Sequence, residues 1–302
     1  MIEFMKYSHN SFVLVSKPEK NSWINVLNPN ESDFLTIKSI VKIPQEVILS
    51  LQDKDEMPTI EEQDKHTFII LRTPNKLSEL RYTTVPLGII LTEDYIITIC
   101  FHKNDVLEKL KQNFSASTKG DLVLRLMFMS SKVYLNYLNE INSTIDHIES
   151  QIYKSQKNRE ITRLLGIEQS LVYFNTSLES NMILLNKIAS NSNFNKKDAK
   201  QFLSEIEDET RQAIEMTKIY TNIMSNLMDA FASMISNNLN IVMKLLTSIT
   251  ILISVPTLIA SFYGMNVELP FQRSPHSFVI VLGMSIFFAI VFLVYFYKND
   301  MI

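Results

Sequence analysis

Cysteine and glycine are scarce in this chain of 302 residues, which has one of the first and five of the second. The single cysteine, Cys100, has no intrachain disulfide partner, and cysteine-based metal sites are excluded with it. It sits in the apolar run Tyr95–Cys100, where a buried structural thiol is expected. The five histidines (His9, His66, His102, His147 and His276) lack ligand-like spacing, which argues against a zinc enzyme. Positive charge is not in excess. The 29 Lys and Arg face 32 Asp and Glu for a net charge of −3, so a nucleic-acid partner held by bulk charge is not expected. There is no glycine-rich phosphate loop and no evident nucleophile–base set, so the chain does not read as an enzyme. The opening Met-Ile-Glu-Phe-Met-Lys lacks the basic-then-apolar layout of a secretory signal. Residues before about 240 are therefore expected to stay in the cytoplasm.

Helix breakers and charges are unevenly spread. Six of the nine prolines fall between Pro18 and Pro86. From Gly120 to Pro256 no proline intervenes, and Gly166 is the one glycine within that stretch. Those conditions permit helix over an unusual length. Charged residues are scattered from residue 1 to about 244 and almost vanish afterwards.

Three parts follow from these distributions: 1–120, 121–244 and 245–302. The first reads as a small α+β domain. Ser22–Leu27, Thr67–Arg72, Leu80–Val85, Leu87–Thr92 and Tyr95–Cys100 have strand composition, and Thr92-Glu93-Asp94 reads as a hairpin turn. Asp33–Val41 and Gln45–Leu51 read as short helices. The second part is a helical stalk. Ile141, Ile145, Ile148 and Ile152 recur at 4-3-4 spacing, and Leu171, Phe174, Leu178, Met182 and Leu185 form a similar seam. Ser190–Lys197 breaks the pattern as a polar loop. A further helix starts near Asp198 and meets no breaker before Pro256, continuing to Tyr263. At 1.5 Å per residue that is on the order of 100 Å, more than a compact domain needs.

The third part reads as membrane. Leu245–Tyr263 and Phe278–Tyr297 are uncharged runs of 19 and 20 residues, each long enough for a bilayer span. Lys244 and Lys298 flank them on one side, which places both termini in the cytoplasm and the loop 264–277 outside. Arg273 in that loop opposes the placement.

One face of the long helix is polar. Steps of four and three residues from Asn222 land on Asn222, Asn226, Asp229, Ser233, Ser236, Asn240, Met243, Thr247, Thr250, Ser254, Thr257 and Ser261, and eleven of these twelve are polar. A strict 3.5-residue period keeps such a stripe facing one partner or axis. Isolated Ser and Thr are ordinary in membrane helices. Five in register within one span, continued by Asn and Asp, point instead to a water-filled path. Two spans per chain cannot enclose a pore, so several copies must assemble around an axis. The stripe's one charge is Asp229, which suits a cation. Met243, with Leu246 beside it, would form an apolar constriction at the cytoplasmic entrance. Pro256 frees the carbonyl of Leu252, so a local kink is expected.

The first span ends Tyr263-Gly264-Met265-Asn266 before a short loop and a final helix. That arrangement resembles the signature of the CorA family of magnesium and cobalt transport proteins. Leu227-Met228-Asp229 and Asn240-Ile241-Val242-Met243-Lys244 also look like the family's pore helix. The resemblance implies a funnel-shaped homopentamer in the cell membrane that takes up Mg2+ and Co2+ and needs no organic cofactor. It places Gly264, Met265 and Asn266 at the outer mouth, with Gly264 allowing a sharp turn and Asn266 meeting the ion. It places Asp229, Asn240, Met243 and Leu246 on the pore and gate, in line with the Thr247, Thr250, Ser254 and Thr257 stripe. It further implies regulatory Mg2+ between subunits. Here the candidates are Glu205 and Asp208, with Glu207 and Glu209, opposite Asp64, Glu61 and Glu62. One departure stands out. Many members carry Met-Pro-Glu-Leu in the outer loop, whereas this chain has Val267-Glu268-Leu269-Pro270-Phe271, with Arg273 and His276 opposing Glu268. Alternatives are a zinc transporter of the same architecture, which Met265 disfavours, and a membrane-anchored coiled-coil adaptor, which has no need of a polar stripe.

Overall fold

The computed structural model describes the chain except residues 9–10, 64–65, 79, 114–117, 153–157, 192–193, 195–196, 272–273 and 300–302. It divides into two compact units, Met1–Asn226 and Leu227–Ile302.

The first unit is built on a seven-stranded sheet of order β2-β1-β3-β7-β6-β5-β4. The strands are β1 (Ile2–Ser8), β2 (Ser11–Leu14), β3 (Ser22–Leu27), β4 (Thr59–Gln63), β5 (His66–Ser78), β6 (Arg81–Leu91) and β7 (Tyr95–Cys100). Only β3 and β7 pair in parallel; the other neighbours are antiparallel. Strands β3 and β7 are buried on both faces, as central strands covered on two sides are, with the polar Asn25 and Thr98 hydrogen-bonded to each other. One face carries Ile24, Val26, Phe68, Ile70, Ile90, Ile97 and Ile99, packed with Ile37, Val41, Ile43 and Leu51 from α1 (Glu31–Ile40), α2 (Gln45–Gln52) and their link. Asn30 caps α1: its side chain accepts from Asp33 N while the Asp33 carboxylate accepts from Asn30 N. Approach of α2 to the sheet is close at Gly88, where a Cβ would lie 2.5 Å from Leu51 Cδ1.

The other face receives α3 (Asp105–Asn113), α4 (Lys119–Ile152) and α5 (Asn158–Ser190). Phe174 anchors α5 there, its ring centroid 5.0 Å from Tyr134 and 5.9 Å from Tyr82, both edge-on. Ile141, Ile145 and Ile148 are buried, as are Leu171, Phe174, Leu178 and Leu185, so both seams pack inward. Cys100 is fully buried, and burial pushes its thiol above the ordinary value.

Two separate strands were expected around Pro86; the structure has one, β6. Proline lacks an N–H, so a central strand tolerates it only where no ladder bond is due. Pro86 stands opposite Arg72, whose backbone N–H and C=O turn away from β6 to Asn181 of α5. On the other flank β7 pairs with β6 only from Gly88 onward. The missing N–H therefore faces no partner on either side. Strands β1, β2 and β4 and helix α3 extend the fold beyond the sequence reading.

The last elements are α6 (Lys197–Tyr263), 67 residues long and continuous through Pro256, and α7 (Ser277–Lys298). Both are long and apolar enough to cross a membrane, and their most apolar stretches are almost wholly exposed in the single chain. A soluble helix of that composition would be buried.

Candidate ion path

Within α6 every stripe position from Asn222 to Ser261 is exposed on the single chain, including Asp229, Asn240, Thr247, Thr250, Ser254 and Thr257. Met243 is 51% and Leu246 56% exposed. These two apolar side chains would cost free energy in water, so a neighbouring copy or a dry constriction is their natural setting.

Four of the stripe's hydroxyls share one arrangement. Thr250 Oγ1 donates to Leu246 O at 2.8 Å, Ser254 Oγ to Thr250 O at 2.7 Å, Thr257 Oγ1 to Ile253 O at 2.8 Å and Ser233 Oγ to Asp229 O at 3.0 Å. Each hydroxyl proton is thus held by the helix's own carbonyl four residues back. The oxygen lone pairs remain, so these side chains present acceptors outward.

The membrane helix ends in a tight turn. Gly264 N donates to Ala260 O at 2.9 Å and Met265 N to Phe262 O at 3.2 Å. The family resemblance has Gly264 allowing a sharp turn here. Its backbone is not left-handed, and a Cβ there would sit 3.5 Å from the nearest carbonyls, an ordinary contact. The turn itself therefore does not require glycine. Gly264, Met265 and Asn266 lie on the exposed loop that follows. Tyr263 Oη donates across this loop to Pro270 O at 3.2 Å, and Ser277 Oγ reaches Phe271 O at 2.6 Å. The sequence reading assigned no role to Pro270, Phe271 or Ser277, because hydroxyl-to-carbonyl ties leave no periodic trace. Arg273 lies outside the described residues.

The acidic residues named from the sequence are distributed differently from one another. Glu209 accepts from Lys132 Nζ of α4 at 2.6 Å, and Glu207 pairs with Arg211 one turn on. Glu205 and Asp208 are exposed on α6. Glu61 and Glu62 are exposed on the edge strand β4, where Glu62 accepts from Asn191 Nδ2 at 2.8 Å. Asp64 lies outside the described residues. Among the described residues no three His, Cys, Asp or Glu side chains gather closely enough within one chain to hold a metal ion.

Comparison with known proteins decides the assignment. Residues 18–298 match the family described as CorA-like Mg2+ transporter protein. The chain belongs to that family. A cobalt/magnesium transport protein CorA from Methanocaldococcus jannaschii is 25% identical over 93% of this chain and 91% of its own length. A protein of the same name from Thermotoga maritima is 24% identical over 92% of this chain and 82% of its own. The complete structure of the CorA magnesium transporter from Methanocaldococcus jannaschii superposes with a TM-score of 0.85 at 21% identity. It covers 100% of this chain and 99% of that one. The architecture is thus the CorA one: a mixed-sheet N-terminal domain, the long helix α6 and the apolar C-terminal helix α7.

Proposed function

We propose that this protein carries Mg2+, and Co2+ with it, across the cell membrane through a pore lined by α6. The observation that carries this reading is the polar stripe. It passes through an otherwise apolar span and leads toward Gly264-Met265-Asn266. Several copies are needed to surround a path, and a homopentamer with both termini in the cytoplasm is the assembly proposed. Membership of a family described by Mg2+ transport, and two relatives named for cobalt and magnesium, favour these ions over zinc.

Mg2+ surrenders its water reluctantly. The Asn266 side-chain amide and backbone would meet the hydrated ion at the outer mouth. The Thr257, Ser254, Thr250 and Thr247 oxygens would accept hydrogen bonds from its water, and Asp229 would receive it below the Met243 and Leu246 constriction. The membrane potential would drive it inward at about 2.3 kcal/mol per charge per 100 mV. No covalent step is required. Feedback by intracellular Mg2+ would act through carboxylates between subunits. Glu205 and Asp208 are better candidates than Glu207 and Glu209, which already have cationic partners.

The test is Mg2+ entry into proteoliposomes, read by an internal Mg2+ dye, for wild type beside Asn266→Ala. Flux in the wild type that disappears in the variant is the expected result. Equal flux in both would move the entry site away from the loop. No flux in either would favour a zinc transporter or a membrane-anchored adaptor, which the same vesicles with a Zn2+ dye would separate.

A further inference from the structure

Two neighbouring carbonyls in the outer loop are each tied to the end of a different membrane helix. Tyr263 is the last residue of α6, and its phenol donates to Pro270 O at 3.2 Å. Ser277 is the first residue of α7, and its hydroxyl lies 2.6 Å from Phe271 O and 2.6 Å from Ser274 O. The peptide between the two tied carbonyls is unusual. Proline fixes φ at position 270. Phe271 has φ 68°, in the left-handed region that a bulky residue rarely enters. The residue is 63% exposed, so packing does not hold it there.

We infer that Tyr263 and Ser277 are positioning residues that buckle the outer loop at Pro270–Phe271. Residues 264–269, with Asn266 and Glu268, are thereby closed into a loop of set shape at the mouth. The inference rests on the reading of this loop as the point of ion entry. The physical case is one of entropy. A free loop between two membrane helices samples many shapes, and every one that misplaces Asn266 lowers the fraction ready to meet an ion. Two tethers on adjacent carbonyls, one from each helix, remove that freedom without touching the ion. The left-handed Phe271 is a cost that such tethers hold in place. Because both act on one dipeptide, they work as a unit.

The experiment measures Mg2+ flux against external Mg2+ in proteoliposomes, with assembly checked by gel filtration in detergent. Tyr263→Phe and Ser277→Ala each remove one hydroxyl. Each is expected to raise the Mg2+ concentration for half-maximal flux by about fivefold, with maximal flux nearly unchanged. The double variant should shift little further, since one lost tether already frees the dipeptide. Ser277→Thr keeps the hydroxyl and should restore the wild-type half-saturation. Asn266→Ala runs alongside. If it abolishes flux while both hydroxyl variants keep the wild-type half-saturation, the buckle is overturned and the mouth stands. If Asn266→Ala leaves flux intact, the reading of the mouth itself has failed. Shifts in Ser277→Thr as large as in Ser277→Ala would reduce Ser277 to helix packing and also overturn the inference.

Discussion

Asn181 performs the work of a missing strand, and its removal has a calculable cost. Strand β4 begins at Thr59, opposite Ile70, so the edge of β5 is bare at Arg72. There the Asn181 amide does what a neighbouring backbone would do. Its Oδ1 accepts from Arg72 N at 3.1 Å and its Nδ2 donates to Arg72 O at 2.7 Å. Both residues are buried. Asn181→Leu keeps the volume and loses both bonds. Arg72 O retains the Tyr134 hydroxyl at 3.2 Å, so its loss is partial. Arg72 N, whose acceptor is Asn181 Oδ1, becomes a buried orphan. An orphaned buried donor costs about 1–3 kcal/mol and the weakened acceptor about 1 more, so roughly 2–4 kcal/mol is expected in all. With a urea slope of about 3 kcal/mol per M for a domain of this size, the midpoint should fall by roughly 0.7–1.3 M. The assay is favoured by a single tryptophan. Trp23 is 2% exposed in β3, so its fluorescence reports on this unit in the full-length protein in detergent. A midpoint within about 0.2 M of wild type would refute the reasoning, because it would mean that water satisfies Arg72 as well as the amide does.

Two further outcomes test the same domain. Gly88→Ala would place a methyl group 2.5 Å from Leu51 Cδ1 in a core where Leu51 is 1% exposed, so the Leu51 side chain or α2 must shift. A loss of about 1–3 kcal/mol in the Trp23-monitored transition is expected, and an unchanged midpoint would show that Leu51 can turn aside freely. Glu3 is pulled upward by burial, but hydrogen bonds from Lys111 and Asn25 outweigh that and hold its carboxyl below the ordinary value. A carboxylate lowered in the folded state stabilises above its unfolded value and loses that contribution as pH falls through the folded value. Acid should therefore lower the wild-type midpoint more steeply than that of Glu3→Gln, and parallel curves would dismiss the Glu3 contribution.

How much of this was legible in the sequence depended on what kind of signal each element left. Strands β3 and β7 are rich in Ile, Val and aromatic residues, so Ser22–Leu27 and Tyr95–Cys100 were readable to the residue. Strand β4 is Thr-Ile-Glu-Glu-Gln on an exposed edge, with neither alternation nor apolar content to announce it. Pro86 was read as a break because a proline's tolerance depends on which side its missing N–H faces, a property of register rather than composition. Helix α3 did leave a trace, since Val106, Leu107 and Leu110 share one face and are all fully buried. The polar stripe was readable because period survives without tertiary knowledge. The ties from Lys132 to Glu209 and from Tyr263 to Pro270 were not, because they join residues whose nearness exists only after folding.

The stripe's chemistry follows from a local rule of helices. Water bound to a cation turns its hydrogens outward, so a lining that receives a hydrated ion must accept hydrogen bonds. A free hydroxyl can donate or accept and would serve an anion equally well. In α6 the choice is already made. Thr250, Ser254 and Thr257 each give their proton to a carbonyl one turn earlier, and acceptor lone pairs are what remain. Amides, which carry N–H donors of their own, end at Asn240, before the uncharged run Leu245–Tyr263 begins. Within that run every polar member of the stripe is a hydroxyl. On the proposed path the preference for positive ions would therefore be set where dehydration is hardest, by an arrangement that places no fixed charge inside the membrane and leaves Asp229 to act below it.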